Sequence, residues 1–489
     1  MQQRNAQPTK VNEAPVTAEE PVVSTHQTAR LAQEPAGDFR IVIVGGGAGG
    51  LELATKLGER LGRRGLARII LVDANPTHLW KPLLHEVAAG TLNSYQDELG
   101  YLGHAKHHGY RFQFGRMEGL DRARRQIILA AMTDDKGEEV VGRRRLDYDL
   151  LVLAVGSISN DFGTPGVREH ARFLDSRLEA EILHRDLLIL LAGRVDGATP
   201  DAGPDQDSQT APGGIPSIGV AIVGGGATGV ELAAELHQAM EDLSRYAAPV
   251  KAGTLQITVL EAADRILSPL PERLAFNVSE ALRHLNIAVL TKAKVASMDA
   301  ESVHLADGRT IPAKIKVWAA GIKAPAFLRE IDGLESHRNG QLLVRSTLQT
   351  TRDDAIFAFG DCAWCPQSPG SDLPVPARAQ AAHQEAELLA KSLVRHVEAL
   401  HACRQPPPLP TYSYSDFGSL ISLSRYTAAG TLMGGVFRKS YLIEGWFARL
   451  AYISLYRMHQ MALHGIWRTL ILILTNRLQR MTQPSLKMH

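Results

Sequence analysis

The amino-acid sequence predicts an α/β protein in which two dinucleotide-binding strand–turn–helix units share one chain with a C-terminal module of different character. Three observations carry this. A glycine-rich turn, Gly45–Gly50, joins a β-branched run to an amphipathic stretch, the same arrangement returns at Gly224–Gly229, and composition changes after the proline-rich connector Gln405–Pro410. At 489 residues the chain has room for about three units of roughly 150 residues each. Hydrophobic residues at 45% and charged residues at 21% suit a folded soluble protein rather than a disordered or membrane-spanning one. Near balance of 53 basic and 52 acidic side chains leaves no nucleic-acid footprint. The three cysteines, Cys362, Cys365 and Cys403, are too few for a disulfide framework and fit a reducing compartment.

Taken in order, residues 1–38 are rich in Gln, Thr, Pro, Glu and Ala, carry acids and lack an apolar h-region. They read as a disordered tail rather than a targeting peptide. Ile41–Val44, Gly45–Gly50 and the run from Leu51 to Leu57 read as strand, turn and helix, and Ile69–Val72 ends a second strand at Asp73, completing a βαβ unit. The pattern recurs as Ile218–Val223, Gly224–Gly229, a helix from Val230, and Ile257–Leu260 ending in Glu261. Residues 197–216 between the units are Gly, Pro and Asp rich and read as an exposed, mobile insertion. Thr350–Asp361 is a turn and short buried strand ending in Gly-Asp, a return of the chain to its first unit. The expected division is therefore 39–165 and 325–411 for a discontinuous first domain, 166–324 for an inserted second domain, and 412–489 for the C-terminal module.

Each glycine of Gly45-x-Gly47-x-x-Gly50 has its own role, in order the tight turn, close approach of backbone to a pyrophosphate, and close packing of helix on strand. Gly224, Gly226 and Gly229 repeat them. The pyrophosphate sits on the helix N-terminus, where unpaired N–H groups favour an anion. Asp73 and Glu261 stand where a ribose 2′-OH is bound, and a carboxylate there repels a 2′-phosphate, so NADH is expected over NADPH. Arg265 lies close enough in sequence to soften that preference, although a solvated structural role accounts for it better.

Leu150–Gly156 and Val317–Gly321 are buried strands running into small-residue turns. They resemble the crossover segments of the two-dinucleotide-binding-domain flavoproteins, the group that includes pyridine nucleotide-disulfide reductases. The resemblance implies two Rossmann-like domains, FAD on the first and NADH on the second, with Gly156 and Asp361 among the FAD contacts and Gly321 among those of NADH. A disulfide reductase needs a redox cysteine pair beside the flavin, yet no cysteine precedes Cys362. Cys362-Ala363-Trp364-Cys365 follows Asp361 directly, so structural thiols are expected there, with metal binding or redox activity the alternative, and no metal ligands are assigned.

The segment Arg378-Ala379-Gln380-Ala381-Ala382-His383-Gln384-Glu385, with Leu79–Glu86 and Gly229–Leu236, sharpens the resemblance to the type II NADH dehydrogenases, single-subunit NADH:quinone oxidoreductases that pump no protons. Gln380 and Gln384 share a helix face, and the resemblance places them on the quinone pocket. It also places Lys81 and Pro82 beside the flavin and Glu231 between the nicotinamide and quinone sides, where a simple helix-start charge is the alternative. Glu231 and His383 are candidate proton donors, although a satisfied structural histidine explains His383 as well.

A quinone resides in the bilayer, whether ubiquinone or menaquinone. From Thr431 to His489 there are eight basic residues and one acid, interleaved with aromatic and aliphatic side chains, which suits an amphipathic helix pair lying on a membrane. Arg449, Arg457, Arg468 and Arg477 interrupt every apolar run long enough to span one. Peripheral attachment to the cytoplasmic side of the inner membrane is expected, and the apolar face also suits a homodimer. A soluble flavin reductase and a non-enzymatic NADH-sensing flavoprotein are the competing readings.

Overall fold

The structure, a computed structural model, describes residues 39–482 apart from 95–97, 196–216, 247–253, 330, 425–426, 434–439, 445–453, 455–456, 459, 462 and 464. The tail expected at 1–38, the insertion expected at 197–216, and Arg438, Lys439, Arg449 and Lys487 of the basic run lie outside the described residues.

Unbroken aliphatic runs are buried on both faces only when helices cover a parallel sheet from both sides, and two such sheets form. The chain begins with β1 (Arg40–Val44), α1 (Ala48–Leu57), β2 (Arg68–Asp73), α2 (Leu84–Ala89), α3 (Tyr101–His108), β3 (Arg111–Phe114) and β4 (Leu150–Leu153). It continues through α4 (Arg177–Val195), β5 (Ile218–Val223), α5 (Ala227–Tyr246), β6 (Leu255–Leu260), α6 (Glu272–His284), β7 (Ala288–Leu290) and β8 (Ile315–Trp318). Then come β9 (Ile356–Ala358), α7 (Ala379–His401), β10 (Gly418–Leu423), β11 (Thr427–Met433), β12 (Ser440–Glu444) and α8 (Ile466–Thr482). The first parallel sheet has the order β9-β4-β1-β2-β3 and the second β7-β6-β5-β8. In both, the order reverses beside the strand that feeds the glycine turn, between β1 and β4 and between β5 and β8. That is the switch point where open α/β sheets bind ligands at the carboxyl ends of their strands.

Both helices start earlier than the sequence indicates, α1 at Ala48 rather than Leu51 and α5 at Ala227 rather than Val230. Gly50 and Gly229 are thereby inside the first helical turn, pressed against the turn they follow. A Cβ on Gly50 would lie 1.9 Å from the Gly45 carbonyl oxygen, and one on Gly229 would lie 2.0 Å from that of Gly224.

The two strands that leave the sheets, Ile158–Ser159 and Ile322–Lys323, pair with each other in antiparallel fashion. The Trp318 indole N–H reaches the Asn160 and Ala320 carbonyls at 2.8 and 3.0 Å. Asp161 accepts from Lys323 at 2.8 Å, and that bond with the Arg168 contact holds its carboxyl down at about 2. The connection is thus a short braced ladder rather than a pair of loose linkers.

Two elements cross the expected division. Leu84, Val87 and Ala88 of α2 are buried with Leu183 and Leu187 of α4 and Leu232 and Leu236 of α5. Ile421 and Leu423 of β10 enter the same core. The helical reading is corrected at Thr431–Met433 and Ser440–Glu444: β10, β11 and β12 form an antiparallel sheet. Ser419-Leu420-Ile421-Ser422-Leu423 places Ile421 and Leu423 two apart, the spacing of one strand face, and the interleaved charges further on masked that period. Helix does form at Ile466–Thr482, and no helix among the described residues is long and apolar enough to cross a membrane.

Replacing Gly50 by Ala should destabilise the protein by about 1–3 kcal/mol or more, the usual cost of overpacking. Thermal unfolding measures the loss, and an unchanged midpoint would refute the packing role.

Candidate active site

In the first turn, the Gly46 backbone N–H donates to Asp73 Oδ2 at 2.6 Å, and Asn75 N–H donates to Oδ1 at 2.7 Å. Burial pushes the Asp73 carboxyl up, against the lowering effect of these N–H groups. The Gly46 carbonyl accepts from the Tyr101 hydroxyl at 2.7 Å and lies 2.9 Å from His78 Nδ1. With φ of +103°, Gly45 abuts the chain leaving β4, where a Cβ would meet the Ala154 carbonyl oxygen at 2.3 Å. Gly47 differs: nothing lies within 4 Å of where its Cβ would stand, and no side chain caps the helix it opens. Open space over uncapped N–H groups is what a pyrophosphate requires.

The second turn repeats these contacts. Gly225 N–H donates to Glu261 Oε2 at 2.7 Å and Ala263 N–H to Oε1 at 2.8 Å. A Cβ on Gly224 would meet the Ala319 carbonyl oxygen at 2.6 Å, whereas Gly226 faces open space. Arg265 donates to the Ser268 carbonyl at 2.9 Å.

Between the turns, Lys81 and Pro82 open a short 3-10 turn. Lys81 Nζ donates to the Ser157 carbonyl at 2.9 Å and lies 3.3 Å from Asp175 Oδ1, and Asp175 in turn accepts from Ser159 N–H at 2.7 Å. Lys81 is thereby attached to the chain just after Gly156. Ser157 Oγ donates to Asp361 Oδ2 at 2.7 Å, which joins Gly156 and Asp361 at the end of the first sheet. Gly321 stands at the matching place after β8, against the Phe162 ring. The Gly360 N–H is held at 2.8 Å by Glu385 Oε2, a carboxyl that burial raises to about 8.

Helix α7 brings the remaining residues in. Gln384 accepts from Ser415 N–H at 3.0 Å and donates to its carbonyl at 2.8 Å. Gln380 accepts from Phe417 N–H at 3.1 Å and donates to the Gly418 carbonyl at 3.0 Å. The glutamines share a face, as their spacing indicates, and they hold the strand approach 415–418 against the helix. His383 turns instead to α1, where its Nδ1 donates to Glu52 Oε2 at 2.6 Å.

Glu231 sits inside α5, buried between α2 and β10, so a solvated charge at the helix start does not describe it. Its Oε1 accepts from Ser422 N–H at 3.0 Å. Burial, with Glu86 and Glu235 nearby, raises its carboxyl to about 8, while burial lowers the His85 imidazole to about 4. The 3.9 Å approach of His85 Nδ1 to Glu231 Oε2 is therefore between two neutral groups near pH 7, not an ion pair.

Cys362 and Cys365 are buried free thiols that burial pushes up to about 12, which leaves little thiolate at neutral pH. Tyr101, Ser157, Asp175, Glu385 and Glu52 escape the sequence reading. An acid on the buried face of an amphipathic helix, as at Glu385 beside Ala381, Ala386 and Leu389, is the one signal that could have found two of them.

The family described as pyridine nucleotide-disulphide oxidoreductase matches residues 39–386. A type II NADH:quinone oxidoreductase of Haemophilus influenzae is 44% identical over 451 residues, spanning 92% of this chain and 99% of that protein. One from Staphylococcus aureus is 27% identical over 81% of this chain and 90% of its own length. Among solved structures, NDH2 from Plasmodium falciparum in complex with NADH aligns with a TM-score of 0.73 at 17% identity, covering 92% of this chain and all of that one. The sulfide:quinone oxidoreductase of Aquifex aeolicus aligns at 0.64 and 17%, covering 87% of this chain and 92% of its own; both likenesses show the fold. On the family match and the identity that runs through nearly all of both chains, the chain belongs to the pyridine nucleotide-disulphide oxidoreductases and, within them, to the type II NADH:quinone oxidoreductases.

Proposed function

We propose that the chain oxidises NADH and reduces a membrane quinone, ubiquinone or menaquinone, through bound FAD and without pumping protons. The observation that carries the reading is the meeting of two open glycine turns across one braced crossover, with α7 and its glutamines running past the first of them. FAD, when bound, supplies the hydride acceptor and the two-electron donor. In this reading residues 39–165 and 325–411 hold it, 166–324 hold NADH, and 412–489 contact the membrane.

Gly45, Gly47 and Gly50 with Asp73 would hold the FAD pyrophosphate and ribose, and Gly156, Asp361, Lys81 and Pro82 the part nearer the flavin ring. Gly224, Gly226, Gly229, Glu261 and Gly321 would do the same for NADH. Gln380 and Gln384, already tied to 415–418, fit one wall of a quinone pocket. Glu231, protonated near neutrality, fits a proton donor at the seam of the two units. The buried, high-pKa thiols offer no dithiol route to a competing acceptor.

Access to a lipid-soluble substrate fits α8, whose Trp467, Leu470, Ile471 and Leu474 follow helical spacing and are exposed, Trp467 by 80%. An exposed apolar stripe of this kind marks a partner or a membrane, and attachment to the cytoplasmic face of the inner membrane follows from the quinone. The same stripe suits a homodimer.

FAD-loaded protein should oxidise NADH rapidly only when a short-chain ubiquinone is present, with NADPH a poor substitute. Flavin reduction without quinone turnover would overturn the acceptor. Replacing Gln380 and Gln384 together by Ala should lower kcat/KM for quinone about tenfold or more, a loss of about 1.4 kcal/mol per decade, with NADH reduction of the flavin retained.

Glu231 has a folded-state pKa near 8 against an ordinary 4.5, so the folded protein keeps a proton that the unfolded chain releases. The stability this contributes is whole below the ordinary value and is lost as pH rises toward 8. Thermal unfolding of Glu231→Gln should therefore gain on the parent protein by a few degrees between pH 5 and pH 9. A constant difference would mean that Glu231 is ionised throughout.

Substituting Glu at Trp467, Ile471 and Leu474 removes side chains whose burial contributes about 1.5–3 kcal/mol each. Co-sedimentation with anionic phospholipid vesicles should drop at least about tenfold, and unchanged binding would exclude α8 as the contact.

A further inference from the structure

We infer that Glu52 is a positioning residue for quinone reduction: through a hydrogen bond across the α1–α7 seam it fixes the His383 imidazole with Nδ1 protonated and Nε2 turned out as proton donor. The inference rests on the proposed quinone reaction and adds to it a residue from the helix that begins at the first glycine turn.

The geometry is asymmetric. Glu52 is 2% exposed and His383 is 51% exposed. A carboxylate at that depth is costly unless paired, and an aliphatic side chain would fill a helix–helix seam with no such penalty. The partners are in place. His383 Nδ1 donates to Oε2 at 2.6 Å, and Lys56 Nζ lies 2.7 Å from Oε1. Burial pushes the Glu52 carboxyl up, but His383 and Lys56 outweigh it and leave the group below its usual range. Lys56 also contacts Glu387, and Glu387 contacts Lys391 at 2.9 Å. Acid and base alternate along the seam from His383 to the exposed Lys391.

What the buried end of this chain does is set one ring. A carboxylate at Nδ1 selects a tautomer and an orientation and stabilises the imidazolium. In sequence His383 stands between Gln380 and Gln384, which hold 415–418, while its own ring turns from their face to α1. The groups that pair with it or with its neighbours are Glu52 and, through Glu52, Lys56 on α1, Glu387 beyond Lys56 on α7, and Asp416, which contacts Gln380 and pairs with Arg378 at 3.2 Å. With Nδ1 committed to Glu52, Nε2 is the nitrogen of this half-exposed ring left to meet a substrate or water.

The overall balance is NADH plus one proton plus quinone to NAD⁺ plus hydroquinone. The hydride carried by NADH brings the electron pair and one proton equivalent, which can reach one quinone oxygen by way of Glu231. For the other, the Nε2–H bond breaks as an O–H bond forms on the quinone oxygen receiving the electron pair, and the neutral imidazole then takes a proton from bulk water.

The test uses full-length, FAD-loaded protein and follows the two half-reactions separately by stopped flow, with Glu52→Gln, His383→Gln and the double variant. Reduction of the flavin by NADH should change by less than about twofold. Reoxidation at saturating short-chain ubiquinone should fall about 10- to 100-fold in each single variant, the usual effect of losing an orienting partner. It should fall no further in the double variant, and the quinone KM should hold. Glu52→Asp, which keeps the charge, should recover part of the rate and serves as the reference should Glu52→Gln fail to retain flavin. Additive losses, equal losses in both half-reactions, or unimpaired reoxidation in Glu52→Gln would overturn the inference while leaving the quinone reaction intact. Failure of quinone to reoxidise the parent protein would remove the reaction itself and the inference with it.

Discussion

One hydrogen bond, made twice, sets the geometry on which the rest depends. At the end of the neighbouring strand a carboxylate accepts the middle N–H of the glycine turn, Asp73 from Gly46 at 2.6 Å and Glu261 from Gly225 at 2.7 Å. Its second oxygen closes the following turn, through Asn75 and Ala263 at 2.7 and 2.8 Å. The bond ties strand end to turn, and in both units the helix starts inside the glycines; at α1 no side chain caps it. The chain leaving the adjacent strand, at Ala154 or Ala319, closes the back of each turn against a glycine with no room for a Cβ. Two mouths of one shape result, and what distinguishes them is the packing around each.

That packing makes the units interdependent. The aliphatic face of α2 is buried against α4 and α5, and β10 adds Ile421 and Leu423 to the same core. The crossover strands pair with each other, and Trp318 and Asp161 brace them with directed bonds. A hydride donor and its acceptor must meet within a few tenths of an ångström of a working geometry, and a loose linker between two domains would not hold them there. Burying α2 under the second sheet supplies the rigidity that the crossover ladder alone, two residues on each strand, could not.

The two βαβ units are legible in the sequence because their signals are local: a β-branched run, three glycines at fixed spacing, an acid at the next strand end. The Gln380 and Gln384 pair is legible for the same reason, since residues four apart must share a helix face. The misses are contacts made at a distance in sequence. Nothing near Tyr101 shows that its hydroxyl reaches Gly46, nor near Glu52 that His383 lies 331 residues away. From Thr431 on, β11 and β12 read as helix because the basic and aromatic residues that lie between and after them, from Arg438 and Lys439 onward, imitate an amphipathic helix, while the strand period of Ile421 and Leu423 is visible over only a few residues. Helix α2 falls to the wrong core because its periodicity shows that it is buried but not against what.

Three buried glutamates show why position alone does not assign roles. Glu52, Glu231 and Glu385 are all inward-facing acids on helices, and burial raises the pKa of each. Glu231 and Glu385 have only a backbone N–H each to oppose it, from Ser422 and Gly360, and both rise to about 8. Nearby acids, Glu86 and Glu235 for one and Asp361 for the other, push in the same direction. Glu52 has the His383 and Lys56 side chains, and these two partners outweigh burial and leave it lowered. A neutral acid can release a proton, an ionised one can accept a proton or orient a donor, and the difference lies in partners contributed by other elements. The seams between elements, more than the glycine turns, are therefore where this chain differs from one unit to the next: the turns repeat one geometry, and the buried acids differ by the partners that other elements bring to them.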